Sequence, residues 1–426
     1  MLFLLIEMWY HVTVIFYERV IFLKIAIMGY GVVGSGVAAL LKKNAGIIKE
    51  NTGAELELKK ILDIRDFDGD EFSSLMTKDF SDIENDDEID VVVETMGGLN
   101  PAFDFVSRCL KKKKHVVSSN KELVAEKGSE LLALAEENNV NFLFEASVGG
   151  GIPIIRPLTR CLAGNRISAL AGILNGTTNF IMTKMITERS DFSSALALAQ
   201  KLGYAEKDPT ADVEGIDACR KICILASLAF GSHISPALVH TEGITKITLS
   251  DVEFADDFGY VIKLIAQAKM LENKKVLIMV SPALVEKSSM LSMVNDVFNA
   301  CLVRGDQTGD VLLYGKGAGK SATASAVVGD IIDCSDNSDK RKVFGWKKEA
   351  CDLVEDYLKV PERLFVRVKK CEKDKVLSFF EGAKILENAE KGELAFITGE
   401  KPECELRDAL ADSGLEVLSV LRVTDY

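Results

Sequence analysis

The residues best suited to chemistry lie between Ala199 and Lys221, in AQKLGYAEKDPTADVEGIDACRK. Five carboxylates, Glu206, Asp208, Asp212, Glu214 and Asp217, precede Lys221 there. Asp217 and Lys221 are four apart, so on a helix they share one face. That spacing alone fits a surface ion pair as well as a site. The density of carboxylates favours a site, because it suits a ligand carrying an ammonium group, with a lysine at hand to move a proton. Neighbouring carboxylates raise a lysine's pKa and burial lowers it; the sequence leaves open which prevails. The chain has only four histidines, His11, His115, His233 and His240. A relay of imidazoles or a multi-histidine metal centre is therefore not expected, and lysine, carboxylate, hydroxyl or cofactor must carry the chemistry.

A second chemical feature is glycine-rich. Ile21–Met28 is an apolar run fit for a parallel strand covered on both faces. Gly29, Gly31 and Gly34 then spell GxGxxG at the start of a predicted helix. In that context the first glycine permits the turn, the second lets a pyrophosphate approach the backbone, and the third lets helix pack on strand. The helix N-terminus supplies free N–H groups and a positive dipole end. A second strand is predicted over Leu56–Ile64. Asp63 or Asp66 near its end would hold ribose hydroxyls and favour NAD, whereas Arg65 between them would hold a 2′-phosphate and favour NADP. The two signals conflict, and the choice stays open at this point. A strand over Ile89–Glu94 runs into Thr95–Gly98, and one over His115–Ser119 runs into Asn120 and Lys121. Ligands in open α/β sheets sit at such carboxyl ends, which puts Lys121 near a nicotinamide. The run Lys111–Lys114 reads as a solvated helix end.

Further along, NFLFEASVGGGI reads as a strand carrying Glu145 that enters a glycine run. Exposed carbonyls with a carboxylate nearby suit a hard monovalent cation, and a hinge between domains fits equally well. Ile173–Met182, ILNGTTNFIM, reads as a strand ending in a polar turn whose groups contact a substrate or cap the next helix. GKS at Gly319–Ser321 imitates a phosphate-binding loop, but the glycine that motif requires five positions earlier is Tyr314. A glycine turn leading into a helix over Ser321–Ile332 is the better reading.

These elements sit in a chain of 426 residues, enough for two to three domains, with 48% hydrophobic residues and a net charge of −13. The acidic balance argues against nucleic acid as a partner. The nine cysteines are scattered and contain no CxxC, which implies reduced thiols and a cytoplasmic protein. Residues 1–22 are apolar but broken by Glu7, His11, Glu18 and Arg19; they are too short a run for a membrane span, lack a signal-peptide pattern and read as an extension. Asp333–Lys342 reads as a linker. Beyond it, strands and helices follow in the order β-α-β-β-α-β, with helices around Asp374–Phe380 and Glu403–Asp412.

The stretch Ala199, Gly203, Tyr204, Ala205, Asp208, Pro209, Asp212, Gly215, Asp217 and Lys221 resembles, without a gap, the signature of the homoserine dehydrogenases. GYGVVG, ETMGG, SSNK, EASVGGGIP, NGTTNF and GKGAG extend the resemblance over about residues 23–335. It implies NAD- or NADP-dependent interconversion of L-homoserine and L-aspartate 4-semialdehyde. By matching positions, Lys221 is the general acid/base, Asp217 positions it and the substrate, Glu206 and Asp212 join in binding substrate, and Lys121 lies at nicotinamide and substrate and shares the proton work. Gly29, Tyr30, Gly31, Val32, Val33, Gly34, Thr95, Gly203 and Gly319 contact the dinucleotide, with Arg65 a candidate for its 2′-phosphate. A sodium ion is held by Glu145, Val148, Gly150 and Ile152, mostly through backbone oxygens. The family is commonly a homodimer through its middle domain. The tail is similar to an ACT regulatory module, although Glu372-Lys373-Asp374-Lys375 replaces the glycine usual in its effector loop. The fold implied is α/β: a Rossmann-type domain over 23–150 completed by 316–335, an α+β substrate and dimerisation domain over 151–315, a linker over 336–345, and a βαββαβ ACT-like domain over 346–426. The reading kept beside this one is a non-catalytic dinucleotide sensor with an amino-acid-binding tail.

Overall fold

The computed structural model describes residues 21–335, 341–347, 352–388 and 392–426. They form two units, one of residues up to Gly151 with Gly319–Val343, the other of Ile152–Ala318 with Phe344–Tyr426. The extension read over 1–22 lies outside the described residues except for its last two, which begin β1. Residues 336–340 of the linker lie outside them as well.

In the first unit, β1 (Ile21–Met28), β2 (Ala54–Leu62), β3 (Met76–Thr77), β4 (Val91–Glu94), β5 (His115–Ser118) and β6 (Phe142–Leu143) form a parallel sheet in the order β3-β2-β1-β4-β5-β6. Every residue of β4 is buried, as a strand covered on both faces requires. Helices α1 (Val32–Lys43), α2 (Ala102–Lys111) and α3 (Lys121–Glu137) make the crossovers. The strand order reverses between β1 and β4, and ligands bind in the crevice that such a reversal opens. The late helix Lys320–Ser335 returns to pack on α1. Gly36 makes that contact possible, since a Cβ there would lie 2.9 Å from the Lys320 carbonyl oxygen. Two readings need correction. Glu145 is not on a strand: β6 ends at Leu143, and Glu145–Ser147 is a 3-10 turn whose first N–H donates to Asp330 Oδ2 at 2.8 Å. Lys114 is not solvated: its Nζ is turned inward onto the carbonyls of Asp86 and Ile89, at 2.6 and 3.2 Å, and burial lowers its pKa.

The second unit is built on one sheet of eleven strands. Its strands are β7 (Ile167–Ile173), β8 (His240–Thr241), β9 (Tyr260–Met270), β10 (Val276–Glu286), β11 (Phe298–Gly305), β12 (Gly309–Lys316), β13 (Pro361–Lys369), β14 (Lys384–Asn388), β15 (Glu393–Ile397), β16 (Lys401–Pro402) and β17 (Val417–Thr424). The main path runs β12-β11-β7-β9-β10-β17-β13-β15-β14. Helices α4 (Gly176–Thr187), α5 (Phe192–Lys201), α6 (Ile216–Phe230) and α7 (Leu249–Asp257) belong to the first half of this unit, and α8 (Lys373–Phe379) and α9 (Glu403–Ser413) to the tail. Both α4 and α6 pack against β7 and β9 or their neighbours. Eleven of the fifteen residues of α6 are buried, so any charge on that helix must find its partners inside the protein.

The tail has the expected β-α-β-β-α-β order, with its four main strands antiparallel as β17-β13-β15-β14. Across the boundary read at 346 the sheet runs on without a break. Strand β17 pairs in parallel with β10 through Ala283–Arg422, Leu284–Val423 and Val285–Thr424, making one continuous sheet. Two buried arginines hold the junction. Arg367 donates to Asp251 and Glu393, each at 2.9 Å. Arg422 donates twice to fully buried Glu403, at 2.8 Å, and once to Glu242, at 3.0 Å.

Removing one partner of such a pair leaves a buried charge uncompensated. Arg422→Met is expected to lower stability by about 3–5 kcal/mol, read as a fall in the apparent Tm. Burial pushes the Glu242 carboxyl up, but hydrogen bonds from His240 and the charge of Arg422 outweigh it and hold it at about 2, below the ordinary 4.5. A group depressed in the folded state stabilises above its unfolded pKa and loses that contribution as pH falls through the folded one. The apparent Tm should therefore drop more steeply from pH 4.5 towards 2 in the wild type than in Glu242→Gln; equal slopes would show that Glu242 is not responsible.

Candidate functional site

The glycine turn of the first unit is set by three different constraints. Gly29 has φ +95°, and a Cβ on it would lie 2.9 Å from the Thr95 carbonyl. A Cβ on Gly34 would lie 1.9 Å from the Gly29 carbonyl oxygen. Around Gly31, by contrast, a Cβ would meet nothing within 4 Å. The first and third glycines are required by the fold, whereas the second leaves open space in a cleft of about 450 Å³ lined by Gly29, Gly31, Asp63, Arg65, Thr95 and Pro101, among others. Thr95 closes the turn from below, its Oγ1 donating to the Gly29 carbonyl at 2.7 Å.

The residues after β2 settle how the conflicting charges are arranged. Asp63 Oδ2 accepts from Tyr30 N at 2.7 Å, and both Asp63 oxygens accept from Arg65, at 2.9–3.0 Å. The Arg65 side chain, with the N–H groups of Arg65 and Tyr30, outweighs burial and holds Asp63 at about 2. Asp63 is thus engaged by the protein, while Arg65 stands at the cleft with its side chain 58% exposed. Asp66 does not line the cleft; it pairs with Lys78, which does, at 2.6 Å.

Buried Glu94 ties the far wall together. It accepts from Ser118 Oγ at 2.6 Å and from Met96 N at 2.8 Å. Asn120 donates to the Gly98 carbonyl at 2.6 Å and caps α3 by accepting from Leu123 N at 3.0 Å. Lys121 is the first residue of that helix.

In the second unit, α6 begins after Gly215, which has φ +80°. This sets Asp217 and Lys221 one turn apart on a buried face, 3% and 8% exposed. Lys221 Nζ lies 2.8 Å from Asp217 Oδ2 and donates to the Leu174 carbonyl at 2.8 Å. An ammonium has three N–H groups, so one is left without a protein acceptor among the described residues. Asn175, between β7 and α4, donates to Asp217 Oδ2 at 2.9 Å and to Asp212 Oδ1 at 2.7 Å. Thr177 Oγ1 donates to the Tyr204 carbonyl at 2.7 Å, tying α4 to the GYAEKDP segment.

Two family models match the chain: homoserine dehydrogenase over residues 153–332 and its NAD-binding domain over 29–145. A homoserine dehydrogenase of Synechocystis is 44% identical over 317 residues, covering 73% of this chain and 72% of that protein. The chain belongs to the homoserine dehydrogenase family. The homoserine dehydrogenase of Thiobacillus denitrificans superposes with a TM-score of 0.87 at 33% identity, over 95% of this chain and 98% of that one. A hyperthermophilic archaeal homoserine dehydrogenase, solved in complex with NADPH, gives 0.63 at 28% identity over 74% of this chain and 98% of its own. Homoserine dehydrogenases are oxidoreductases, and the Rossmann-type α/β architecture agrees with the family. A non-catalytic sensor is not favoured.

The residues singled out in the sequence fall into separate groups. Gly29, Tyr30, Gly31, Val32, Val33, Gly34, Arg65 and Thr95 belong to the glycine turn and the strand ends beside it. Gly319, with φ +123°, opens the returning helix. Gly203, with φ +77°, and Glu206 lie exposed in the loop after α5. Of the five carboxylates before Lys221, Asp212 and Asp217 are joined through Asn175. Asp208 instead accepts from Thr210, at 2.6 Å from its Oγ1, and Glu214 accepts from Thr245 at 3.0 Å. Glu145 and Val148 are buried and Gly150 has φ +55°, all in the first unit, whereas Ile152 opens the second. The sequence did not single out Asn175, Leu174 or Glu94. The NGTTNF segment was the available signal for the first of these; a carbonyl such as that of Leu174 leaves no trace in residue type.

The glycine constraints separate fold from binding. Gly31→Ala should keep a wild-type apparent Tm and weaken dinucleotide binding at least tenfold, followed by quenching of protein fluorescence. Gly34→Ala should lower the Tm as well, because a backbone oxygen occupies the space its Cβ needs. If Gly31→Ala bound the dinucleotide normally, the open space around Gly31 would not be the phosphate site.

Proposed function

We propose that the chain interconverts L-homoserine and L-aspartate 4-semialdehyde, with Lys221 as the group that moves the proton. The observation that carries this is the environment of its Nζ: buried, held by Asp217 and the Leu174 carbonyl, with one donor position left over. The bound dinucleotide supplies the hydride acceptor, or donor in reverse. In the oxidative direction Lys221, as the amine, takes the hydroxyl proton of homoserine while the carbinol hydrogen leaves as hydride; in the reductive direction its ammonium returns a proton to the carbonyl oxygen. Asp217 holds the Lys221 nitrogen in place. Asp212, Asp217 and Glu206 are assigned to the substrate's ammonium end, and Lys121 to the nicotinamide and substrate.

For the cofactor we favour NADP. Asp63 is fully engaged with Tyr30 and Arg65, so it is poorly placed to accept from a ribose hydroxyl, while the guanidinium of Arg65 suits a 2′-phosphate. Gly203 and Gly319 are assigned further dinucleotide contacts. A sodium ion fits the donor chemistry of the Glu145 carboxylate with the carbonyls of Val148, Gly150 and Ile152, all hard oxygens; its role would be structural. Residues 23–150 with 316–335 are taken as the dinucleotide-binding part, and 151–315 as the substrate and dimerisation part of a cytoplasmic homodimer. Among the described residues no helix is long and apolar enough to cross a membrane. The tail is read as an ACT-like module, for which the antiparallel order of its four strands is the support.

Reduction of NADP and NAD with homoserine, followed at the nicotinamide absorbance, tests the reading. NADP should be preferred, and Arg65→Ala should raise its KM about tenfold without affecting NAD. Lys221→Ala should lower kcat by about 10²–10⁴-fold while dinucleotide affinity stays within twofold. Wild-type turnover in Lys221→Ala would refute the assignment.

A further inference from the structure

From the hydrogen bonds around α6 we infer that Asn175 is the positioning residue of the acid/base site: one amide group fixes Asp217 and Asp212 together. This rests on Lys221 as the proton carrier. Both N–H groups of Asn175 are spent on carboxylates, one on Asp217 Oδ2 at 2.9 Å and the other on Asp212 Oδ1 at 2.7 Å. Its Oδ1 turns the other way and accepts from Thr178 N at 2.9 Å, capping α4. The side chain is 5% exposed, so its orientation is imposed by these bonds and not shared with water.

The preceding residue completes the arrangement. Lys221 Nζ rests on the Leu174 carbonyl and on the same Asp217 oxygen that Asn175 holds. The dipeptide Leu174–Asn175 therefore sets all three charged groups from one point at the end of β7. That point is itself fixed: a Cβ on Gly176 would lie 2.7 Å from the Val297 carbonyl oxygen, so the turn is seated against the sheet. Asn fits all these demands. It donates two N–H groups to two anions while its oxygen caps a helix, and no other uncharged side chain of this size does both. An aspartate would cap α4 as well but would set a third carboxylate against the other two.

That difference separates a positioning role from a structural one. Asn, Asp and Ser are about equally good helix N-caps, so Asn175→Ser and Asn175→Asp both retain the capping function; Asp loses both N–H donors, and Ser keeps a single short O–H that cannot bridge two carboxylates. A hydrogen bond to the charged form of a carboxylate lowers its pKa; losing it should move the acid limb of the kcat/KM profile to higher pH. For Asn175→Ser we expect kcat for homoserine oxidation to fall ten- to hundredfold, the acid limb to shift up by about one pH unit, a tenfold change in protonation at fixed pH, and the KM for NADP to stay within twofold. Asn175→Asp should lose more activity than Asn175→Ser. If either variant folds, by its circular dichroism, and keeps the wild-type kcat and pH profile, the inference is overturned. It is equally overturned if activity falls only in proportion to the folded fraction, because capping alone would then account for the residue. Absence of homoserine turnover in the wild type, or full turnover in Lys221→Ala, would instead refute the reading of Lys221 on which the inference rests.

Discussion

A lysine and an aspartate paired inside the protein set the terms for the second unit. Burying two charges costs more than their attraction returns unless further hydrogen bonds satisfy them. Asp217 and Lys221 meet that condition only where three elements converge: α6 carries the pair, the end of β7 supplies the Leu174 carbonyl, and the start of α4 supplies the Asn175 amide. A small displacement of any one would leave a charge in a poorly polar interior. The site is accordingly built on a strand end and two helices and not on a loop.

The packing around these elements reads as support for that convergence. Helix α4 is held at its first turn by Asn179, whose amide donates to the carbonyls of Val294, Asp296 and Phe298, at 3.0–3.1 Å. Lys263, 1% exposed, gives N–H groups to Asn179 Oδ1, the Val294 carbonyl and Asn295 Oδ1, at 3.1, 2.6 and 3.1 Å. Burial lowers its pKa to about 8, but three acceptors around one nitrogen match the three donors of an ammonium. This further buried lysine lies on β9, outside the cluster of Asp212, Asp217 and Lys221, and serves the seating of the helix that Asn175 caps.

What could be read from the sequence follows how local each signal is. The glycine turn depends on residues within one βαβ unit, and GxGxxG with its flanking strand and helix was enough to locate it. The i,i+4 relation of Asp217 and Lys221 was equally local. Burial was not: the same spacing serves a surface pair, and only the packing of α6 on its sheet distinguishes the two. Asn175 was hidden for a similar reason, since an asparagine in a polar turn serves caps, turns and sites alike. Lys114 read as one more solvated lysine in a run of four, yet its reach to two carbonyls across the fold draws it inside. The conflict between Asp63 and Arg65 could not be resolved from residue types, because the two are bonded to each other and the difference is which of them stays exposed at the cleft.

The tail shows where sequence order and structural division part. A polar stretch before it and a complete β-α-β-β-α-β order after it describe a module, and its interior, with Leu364, Val366, Val376, Phe396 and Leu406, is its own. The junction strand decides otherwise, because β17 offers one edge to β13 and part of the other to β10. Arg422, on that strand, reaches Glu242. The next residue, Gly243, lies so close to the Asp212–Asp217 turn that a Cβ on it would come within 2.2 Å of the Val213 carbonyl oxygen, and Ile244 N donates to that same oxygen at 2.8 Å. The segment between Asp212 and Asp217 thus rests on a loop whose Glu242 is paired with Arg422 of the tail. An appendage joined by a free linker would leave Glu242 without Arg422; here the tail is part of the wall against which the Asp212–Asp217 turn is built.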